Sequence, residues 1–299
     1  MTIQILGGGS VGLLIASFLI EKGFAVEIVA KRAEQREALH AYGLVRQGAA
    51  GEREAFKTGA SANIAQHPAL LIVATKYDAL AGLYPEIAKL PASVPLLFVQ
   101  NGLAHYQEAM RLPQRHIAFG SAQFGAQRAE DHLVIHRGIG VLKLAVARGN
   151  VEEFAAVAAL DSKAFPVRCE EEAEKMLLEK ALLNCFINPL TAILQVKNGE
   201  LLTNGHAYSL LEALYGELME AFPDMRTQFP FDGVKELCER TAANTSSMLA
   251  DRLAGRKMEI DTIAGAIIEK AEDNGRQLPT LRTLYGIIKA LEQVEGDES

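Results

Sequence analysis

Three polar side chains recur at one helical spacing in an otherwise apolar segment. Lys180, Asn184 and Asn188 stand at i, i+4 and i+8, and on a helix they form a stripe that turns by about 40° per step. A lysine with a usual pKa of about 10.4 is protonated at neutral pH and can donate a proton. Because unpaired buried polar groups cost about 1–3 kcal/mol each, the stripe needs partners. Either a bound ligand or a buried hydrogen-bonded network would supply them.

A glycine-rich turn at the start of the chain has the composition of a phosphate-binding site. The apolar residues 3–6 lead into Gly7-Gly8-Gly9-Ser10-Val11-Gly12, and an apolar helical pattern follows. In a G-x-G-x-x-G turn, Gly7 permits the sharp turn, Gly9 lets a pyrophosphate approach the backbone, and Gly12 lets helix and strand pack closely. The free N–H groups at the helix start favour phosphate. An ordinary glycine-rich turn is the alternative, but the strand and helix on either side favour dinucleotide binding.

The residues after the second strand indicate which dinucleotide is bound. NAD enzymes usually place an acid there, about 20 residues beyond the glycines, to hold the ribose 2′-hydroxyl. In this chain Lys31 and Arg32 follow Ala30, and Glu27 falls too early, within the strand. Two cations suit a 2′-phosphate, and the planar guanidinium of Arg32 can bind it bidentately. The pattern therefore favours NADP(H), with a solvated basic pair as the alternative.

Composition sets limits on the class of protein. A chain of 299 residues suggests two domains, and a formal charge of −7 with a pI near 5.6 disfavours nucleic acid and anionic membranes as partners. The three cysteines are far apart and form no C-x-x-C pair, so we expect buried free thiols and no metal site. No long apolar span is evident. The apolar residues 11–20 follow a glycine loop, as a first Rossmann helix would, so a cytoplasmic location is expected.

The hydrophobic patterns predict an α/β fold: an N-terminal Rossmann dinucleotide-binding domain (residues 1–168) followed by an all-α C-terminal domain (residues 169–299). Apolar runs at residues 70–75, 96–99 and 117–120 are typical of buried parallel strands. Residues 132–136 and 139–147 read as an antiparallel hairpin. From residue 170 onward the pattern is helical, with one long helix over residues 171–194 that Pro189 interrupts or kinks. The cleft between the two domains is the expected substrate site.

Several motifs, in this order along the chain, resemble those of the ketopantoate reductases (2-dehydropantoate 2-reductases). They are the glycine turn, Thr75-Lys76, Gln100-Asn101-Gly102, the stripe continuing into Pro189-Leu190-Thr191-Ala192, Asn198-Gly199-Glu200-Leu201, Asn244-Thr245-Ser246-Ser247-Met248-Leu249 and Glu259-Ile260-Asp261. The Asn-Pro-Leu-Thr-Ala and Ser-Ser-Met-Leu blocks are specific to that family, whereas many dehydrogenases share the glycine motif.

The resemblance implies roles for the matching positions. Lys180 matches the catalytic lysine and Glu259 the second catalytic residue. Substrate-binding positions are Asn101, Asn184, Asn188, Asn198, Asn244 and Ser247. Cofactor-binding positions are Gly7, Gly8, Gly9, Ser10, Val11, Gly12, Lys31, Arg32, Lys76 and Asn101. Three of these have simpler readings, because Asn198 before Gly199 suits a helix end, Ser247 could cap a helix, and Glu259 could be a solvated acid at a helix start.

The implied reaction is reduction of 2-dehydropantoate to pantoate with NADPH, a step in pantothenate and coenzyme A biosynthesis. The alternatives are an NADPH-dependent reductase of another 2-keto acid and a non-catalytic NADP-binding sensor. The expected partner is a small 2-keto acid, with neither nucleic acid nor membrane. The sequence leaves the oligomeric state open, a homodimer included.

Overall fold

The computed structural model describes residues 2–297 and the side chains up to residue 293. The described chain forms two compact units. Unit 1 contains the residues up to Gln100 together with His105–Met176, and unit 2 contains Asn101–Ala104 together with the residues from Leu177 onward. The predicted domain boundary between residues 168 and 169 stays a prediction.

Unit 1 contains two β-sheets. Its strands are β1 (Ile3–Leu6), β2 (Val26–Val29), β3 (Leu44–Gln47), β4 (Arg53–Phe56), β5 (Gly59–Ser61), β6 (Leu70–Val73), β7 (Leu96–Phe98), β8 (Ile117–Ala122), β9 (Gly125–Arg128), β10 (Leu133–Gly138), β11 (Leu142–Arg148) and β12 (Val167–Glu170). Its helices before residue 160 are α1 (Ser10–Glu21), α2 (Ala33–Tyr42), α3 (Leu80–Ile87), α4 (His105–Met110) and α5 (Ala155–Ala158).

The larger sheet has eight strands in the order β12-β11-β8-β7-β6-β1-β2-β5. Strands β1, β6 and β7 run parallel and are buried along their whole length, which explains why each reads as a continuous apolar run. Because β1 and β6 are neighbours, their carboxyl ends lie side by side at one edge of the sheet. The predicted alternation of strands and helices in this part of the chain is confirmed.

The smaller sheet has four strands in the order β4-β3-β10-β9 and corrects the predicted hairpin. Strand β10 pairs with β3 and β9, whereas β11 pairs with β8 and β12 in the larger sheet. The prediction that residues 132–136 and 139–147 pair with each other is therefore wrong. The pairing of β10 shifts register between His136 and Gly138, and the chain then crosses to the other sheet. A local alternation pattern shows that a segment is a strand, but it does not identify the partner strand.

Unit 2 is helical from Leu177 onward. The helices of the second half of the chain are α6 (Ala173–Leu194), α7 (Glu200–Thr203), α8 (Gly205–Ala221), α9 (Phe231–Arg240), α10 (Ser247–Leu253), α11 (Ala266–Asp273) and α12 (Pro279–Asp297). A π-helical turn, Asp261–Gly265, precedes α11. No strand follows β12 among the described residues, which confirms the predicted helical character.

Helix α6 is the long helix that the polar stripe predicted. It spans 22 residues without interruption and contains Pro189, so the break considered at that proline does not occur. This helix has the length and apolar composition of a membrane span, so the expectation that the chain contains no long apolar span is wrong. In the folded chain, 72% of its most apolar window is buried. Such burial is what the core helix of a folded unit shows, and it leaves polar side chains on α6 dependent on protein or ligand partners.

Candidate functional site

The glycine turn of unit 1 has the backbone geometry that its motif predicts. Gly7 has a φ of +115°, and a Cβ there would lie 2.9 Å from backbone atoms of Ala74 and Thr75. A Cβ on Gly12 would lie 2.2 Å from the carbonyl oxygen of Gly7, so helix α1 packs directly on the turn. Gly9 is different, since its Cβ would meet only the Ala74 oxygen, at 3.9 Å. The turn is therefore open at Gly9, as a bound pyrophosphate requires.

The start of α1 is also suited to an anion. Gly9 is the N-cap of this 12-residue helix, and no side chain caps it. The first-turn N–H groups of Ser10, Val11 and Gly12 have no acceptor within the helix, by helix geometry. An anionic group at Gly9 would satisfy these donors and the helix dipole.

Two side chains donate hydrogen bonds to the backbone of the glycine turn. The buried Gln35 donates from Nε2 to the carbonyl oxygen of Gly8 at 2.8 Å and to that of Asp131 at 2.9 Å. Arg128 also donates to the Gly8 carbonyl, at 3.3 Å. The carbonyl of Gly8 thus has protein partners. No sequence pattern singles out Gln35 on α2, Arg128 at the end of β9 or Asp131 in the loop before β10.

The predicted basic residues lie at the end of β2. Lys31 and Arg32 are exposed, and Arg32 forms an ion pair with Asp131. Arg36, in the first turn of α2, donates from Nη1 to the carbonyl oxygens of Ala30 and Lys31, each at 2.8 Å. The spacing of four residues between Arg32 and Arg36 is a sequence signal for this second arginine. This loop therefore presents cations, but one of them already has a carboxylate partner.

Lys76 and Gln100 follow two neighbouring strands of the larger sheet, β6 and β7. Lys76 is exposed at the N-cap of a short 3₁₀ turn. Gln100 is buried and donates from Nε2 to the carbonyl oxygens of Val73 at 2.9 Å and Thr75 at 3.1 Å. Gln100 therefore ties the two strand ends together, immediately before Asn101 in the chain.

A chain of three polar side chains forms the centre of the candidate site in unit 2. Lys180 on α6 donates from Nζ to Oδ1 of Asn101 at 2.8 Å. Asn101 donates in turn from Nδ2 to Oε2 of Glu259 at 2.8 Å. All three side chains are half-buried. The structure thus brings together Lys180, Glu259 and Asn101. The two that are most distant in sequence, Asn101 and Glu259, are 158 residues apart.

Burial changes the acidity of Lys180. Loss of water around the ammonium lowers the pKa of Lys180 to about 8, and the nearby Glu259 carboxylate opposes that shift. A lysine with this pKa is still mostly protonated at neutral pH, yet it releases a proton more readily than a solvated lysine. General acids work best when their pKa is near the working pH.

The π-helical turn after Glu259 holds the loop that carries Asn101. The backbone N–H of Leu103 donates to the carbonyl oxygen of Thr262 at 3.0 Å. Thr262 also donates from its hydroxyl to the carbonyl oxygen of Glu259 at 3.1 Å. On the other side, Asp261 accepts hydrogen bonds from Tyr285 at 2.7 Å and from Lys289 at 3.0 Å. This turn therefore fixes Asn101 and Glu259 against each other, an arrangement that no sequence pattern indicated.

The rest of the stripe lies further along α6. Asn184 is half-buried one turn beyond Lys180. Asn188 is buried, and its Nδ2 lies 3.4 Å from Oγ of Ser247, which is exposed at the first position of α10. The N-cap of α10 is the preceding Ser246, which accepts from the N–H of Leu249. Ser247 is thus not the cap, and its hydroxyl stays near the stripe.

Asn198 and Asn244 belong to a separate junction. Asn198 is buried and donates from Nδ2 to the hydroxyl of Thr241 at 2.9 Å, and its backbone N–H donates to the carbonyl oxygen of Asn244 at 3.2 Å. Asn244 is exposed. These contacts give Asn198 a structural role in joining two loops. Substrate binding by Asn198 and Asn244 stays a prediction.

Two smaller expectations concern cysteines and metals. Cys185 and Cys238 are buried free thiols, as predicted, but Cys169 is exposed, because β12 lies at the edge of the larger sheet. Within residues 2–297, no group of three or more His, Cys, Asp or Glu side chains could hold a metal ion.

Two family models match the chain. One, described as "Ketopantoate reductase PanE/ApbA", matches residues 3–149, and the other, "Ketopantoate reductase PanE/ApbA C terminal", matches residues 172–292. The chain belongs to the ketopantoate reductase family. The family resemblance seen in the sequence is thereby confirmed.

Known ketopantoate reductases are similar over nearly the whole chain. The 2-dehydropantoate 2-reductase of Listeria innocua is 34% identical over 305 residues, covering 98% of this chain and 97% of that protein. The crystal structure of the probable 2-dehydropantoate 2-reductase of Bacillus subtilis has a TM-score of 0.88 and 32% identity, covering 98% of this chain and 100% of that one. The predicted fold class, a dinucleotide-binding α/β part followed by a helical part, is confirmed.

Two more distant structures share the ketopantoate reductase fold. A D-mandelate dehydrogenase with NADH and anilino(oxo)acetate has a TM-score of 0.86 at 23% identity, covering 99% of this chain and 100% of that one. A dimeric ketopantoate reductase from Staphylococcus aureus has a TM-score of 0.77 at 17% identity, with the same two coverages. The fold therefore accommodates a nicotinamide cofactor in a structurally similar dehydrogenase.

Proposed function

We propose that this chain reduces 2-dehydropantoate to pantoate with NADPH, a step in pantothenate and coenzyme A biosynthesis. The observation that carries the proposal is the hydrogen-bonded chain Lys180–Asn101–Glu259 in unit 2, in which the ammonium has a lowered pKa. Membership of the ketopantoate reductase family supplies the substrate.

Lys180 is proposed as the proton donor. The nicotinamide, when bound, supplies a hydride to the keto carbon, and negative charge develops on the keto oxygen. The Nζ of Lys180 donates a hydrogen bond to that oxygen and then its proton. Because burial brings the pKa of Lys180 to about 8, the transfer needs less free energy than it would from a solvated lysine.

Asn101 and Glu259 position that donor. Oδ1 of Asn101 accepts from Lys180, so it fixes the direction in which the ammonium points. The Glu259 carboxylate favours the charged form of Lys180 and holds Asn101 through its amide. Without that carboxylate, desolvation would leave more of the lysine neutral.

Asn184, Asn188 and Ser247 are proposed to bind the substrate. An amide offers two donors and an acceptor, and a hydroxyl offers one donor and two acceptors. These groups match the carboxylate and hydroxyl groups of a hydroxylated keto acid. The 3.4 Å separation between Asn188 and Ser247 is long for a hydrogen bond, which leaves both groups able to turn toward a ligand.

The glycine turn of unit 1 is proposed to hold the NADPH pyrophosphate. The charged groups of the cofactor are proposed to bind Arg32, Lys31 and Lys76. The open side of Gly9 and the uncapped start of α1 support this assignment. Arg32 stands where a planar guanidinium could bind the 2′-phosphate.

The direct test is an assay of the purified protein that follows loss of nicotinamide absorbance. Fast oxidation of NADPH with ketopantoate, and slow oxidation with NADH or with a simple unbranched 2-keto acid, is expected. Turnover with another 2-keto acid and not with ketopantoate would assign a different substrate. Binding of NADPH without turnover of any keto acid would favour a sensor and contradict the proposal.

A homodimer is proposed as well, because the Staphylococcus aureus relative is described as dimeric. Sedimentation equilibrium should then give about twice the chain mass of 32.4 kDa, and a single-chain mass at micromolar concentration would contradict it. A cytoplasmic location stays a prediction.

A further inference from the structure

The end of β2 has no acid of its own, but the fold brings one to it. Asp131, in the loop between β9 and β10, forms an ion pair with Arg32. Its carboxylate also lies 3.9 Å from Nη1 of Arg128. The sequence has no acid at the end of β2, which favours NADP(H), but the structure supplies an acid from 99 residues beyond Arg32 in the chain.

The position of Asp131 is fixed by its backbone. Its carbonyl oxygen accepts from the buried Gln35, which also holds the carbonyl of Gly8 in the glycine turn. Gln35 therefore connects the backbone of Asp131 to the glycine turn, so the position of Asp131 does not depend on its ion pair with Arg32 alone. Its side chain is 26% exposed, while those of Arg32 and Arg128 are 49% and 41% exposed.

We infer that Asp131 sets how strongly the protein prefers NADP(H) to NAD(H). A 2′-phosphate carries about −1.5 to −2 charges at neutral pH. To bind Arg32 it must share the guanidinium with the Asp131 carboxylate or displace it, and in either case it lies beside that carboxylate. A ribose 2′-hydroxyl has no such conflict, because a carboxylate accepts its hydrogen bond. Asp131 therefore weakens binding of the phosphorylated cofactor and leaves binding of the other unchanged or stronger.

The inference rests on the proposed cofactor site of unit 1, so its test uses binding and not turnover. Calorimetry gives the Kd of NADP⁺ and of NAD⁺ for the wild type and for Asp131→Asn, which keeps the size of the side chain and the backbone bond to Gln35. Because an exposed ion pair contributes only modestly to the free energy, NADP⁺ should bind about three- to fivefold more tightly to Asp131→Asn. The Kd of NAD⁺ should stay the same or rise.

The matched control is Glu130→Gln, which removes the same charge from the neighbouring residue. The Glu130 carboxylate is near His132, so this variant should change the ratio of the two Kd values by less than twofold. An unchanged ratio in Asp131→Asn, or weaker NADP⁺ binding, would overturn the inference. Arg32→Ala separates the two proposals, since NADP⁺ binding unaffected by that change would instead contradict the proposed 2′-phosphate site.

Discussion

Lys180 and Asn101, which are 79 residues apart in sequence, are joined by a hydrogen bond of 2.8 Å from the ammonium to the side-chain carbonyl. Asn101 also donates to Glu259, so a neutral amide lies between a cation and an anion. This arrangement keeps the two charges coupled without a direct ion pair. An ammonium has three N–H donors, and the bond to Asn101 uses one of them.

Removal of the bridging amide should impair turnover. Asn101→Ala deletes hydrogen bonds to two charged groups, each of which typically contributes about 1.5–3 kcal/mol. We expect kcat for ketopantoate to fall about ten- to hundredfold, because Lys180 loses its orientation. Steady-state kinetics with saturating NADPH measures this, and a kcat within twofold of the wild type would show that Asn101 does not position the lysine.

The pH profile should reveal the coupling between Glu259 and Lys180. If the charged lysine is required, kcat/KM falls as pH rises through the pKa of Lys180, which lies at about 8. The Glu259 carboxylate raises that pKa, so Glu259→Gln should move the falling limb to lower pH. The measurement is kcat/KM for ketopantoate across pH 6–10 in both proteins. A limb that stays in place, or moves to higher pH, would contradict the assigned coupling.

Two glycine substitutions should separate folding from cofactor binding. A Cβ on Gly12 would lie 2.2 Å from the Gly7 oxygen, whereas one on Gly9 would have its nearest neighbour at 3.9 Å. We therefore expect Gly12→Ala to lower the Tm of the free protein, and Gly9→Ala to leave the Tm unchanged while weakening NADP⁺ binding at least tenfold. Calorimetry measures both quantities. A Gly9→Ala protein that binds NADP⁺ as the wild type does would exclude the phosphate site at that glycine.

Adjacent serines at the start of α10 should behave differently. Ser246 is buried, caps the helix and lies 2.7 Å from the hydroxyl of Thr191. Loss of such a cap costs about 1 kcal/mol, so Ser246→Ala should lower the Tm. Ser247→Ala, at an exposed position, should leave the Tm unchanged and raise the KM for ketopantoate. If the KM changed only in Ser246→Ala, Ser247 would lose its proposed substrate role.

The sequence predicted the features that depend on local pattern. Buried parallel strands such as Leu70–Val73 read as apolar runs, and the stripe on α6 read as a long helix. The four-stranded sheet was missed because β3 and β10 are distant in sequence, and strand pairing at such a distance leaves no local signal. For the same reason the sequence did not indicate Arg128, which ends β9 in that sheet, or Asp131, which lies in the loop between β9 and β10.

For the site, residue spacing alone predicted only that Lys180, Asn184 and Asn188 share one side of a helix. Glu259 and Asn101 entered through the family resemblance, and the structure supplies the physical link, since the π-helical turn Asp261–Gly265 follows Glu259 directly and holds the Asn101 loop. The lowered pKa of Lys180 could not be predicted from sequence, because it depends on how much water the folded chain removes from one amine.

The most direct test of the proposed reaction compares the wild type with Lys180→Gln in one assay, with saturating NADPH and ketopantoate. Glutamine keeps a hydrogen-bonding side chain but has no proton to give. General acid catalysis typically contributes about 10²–10⁴-fold, so we predict a kcat lower by that factor, with an NADP⁺ Kd within twofold of the wild type. Turnover by Lys180→Gln at the wild-type rate, with cofactor binding intact, would contradict the assignment of Lys180 as the proton donor.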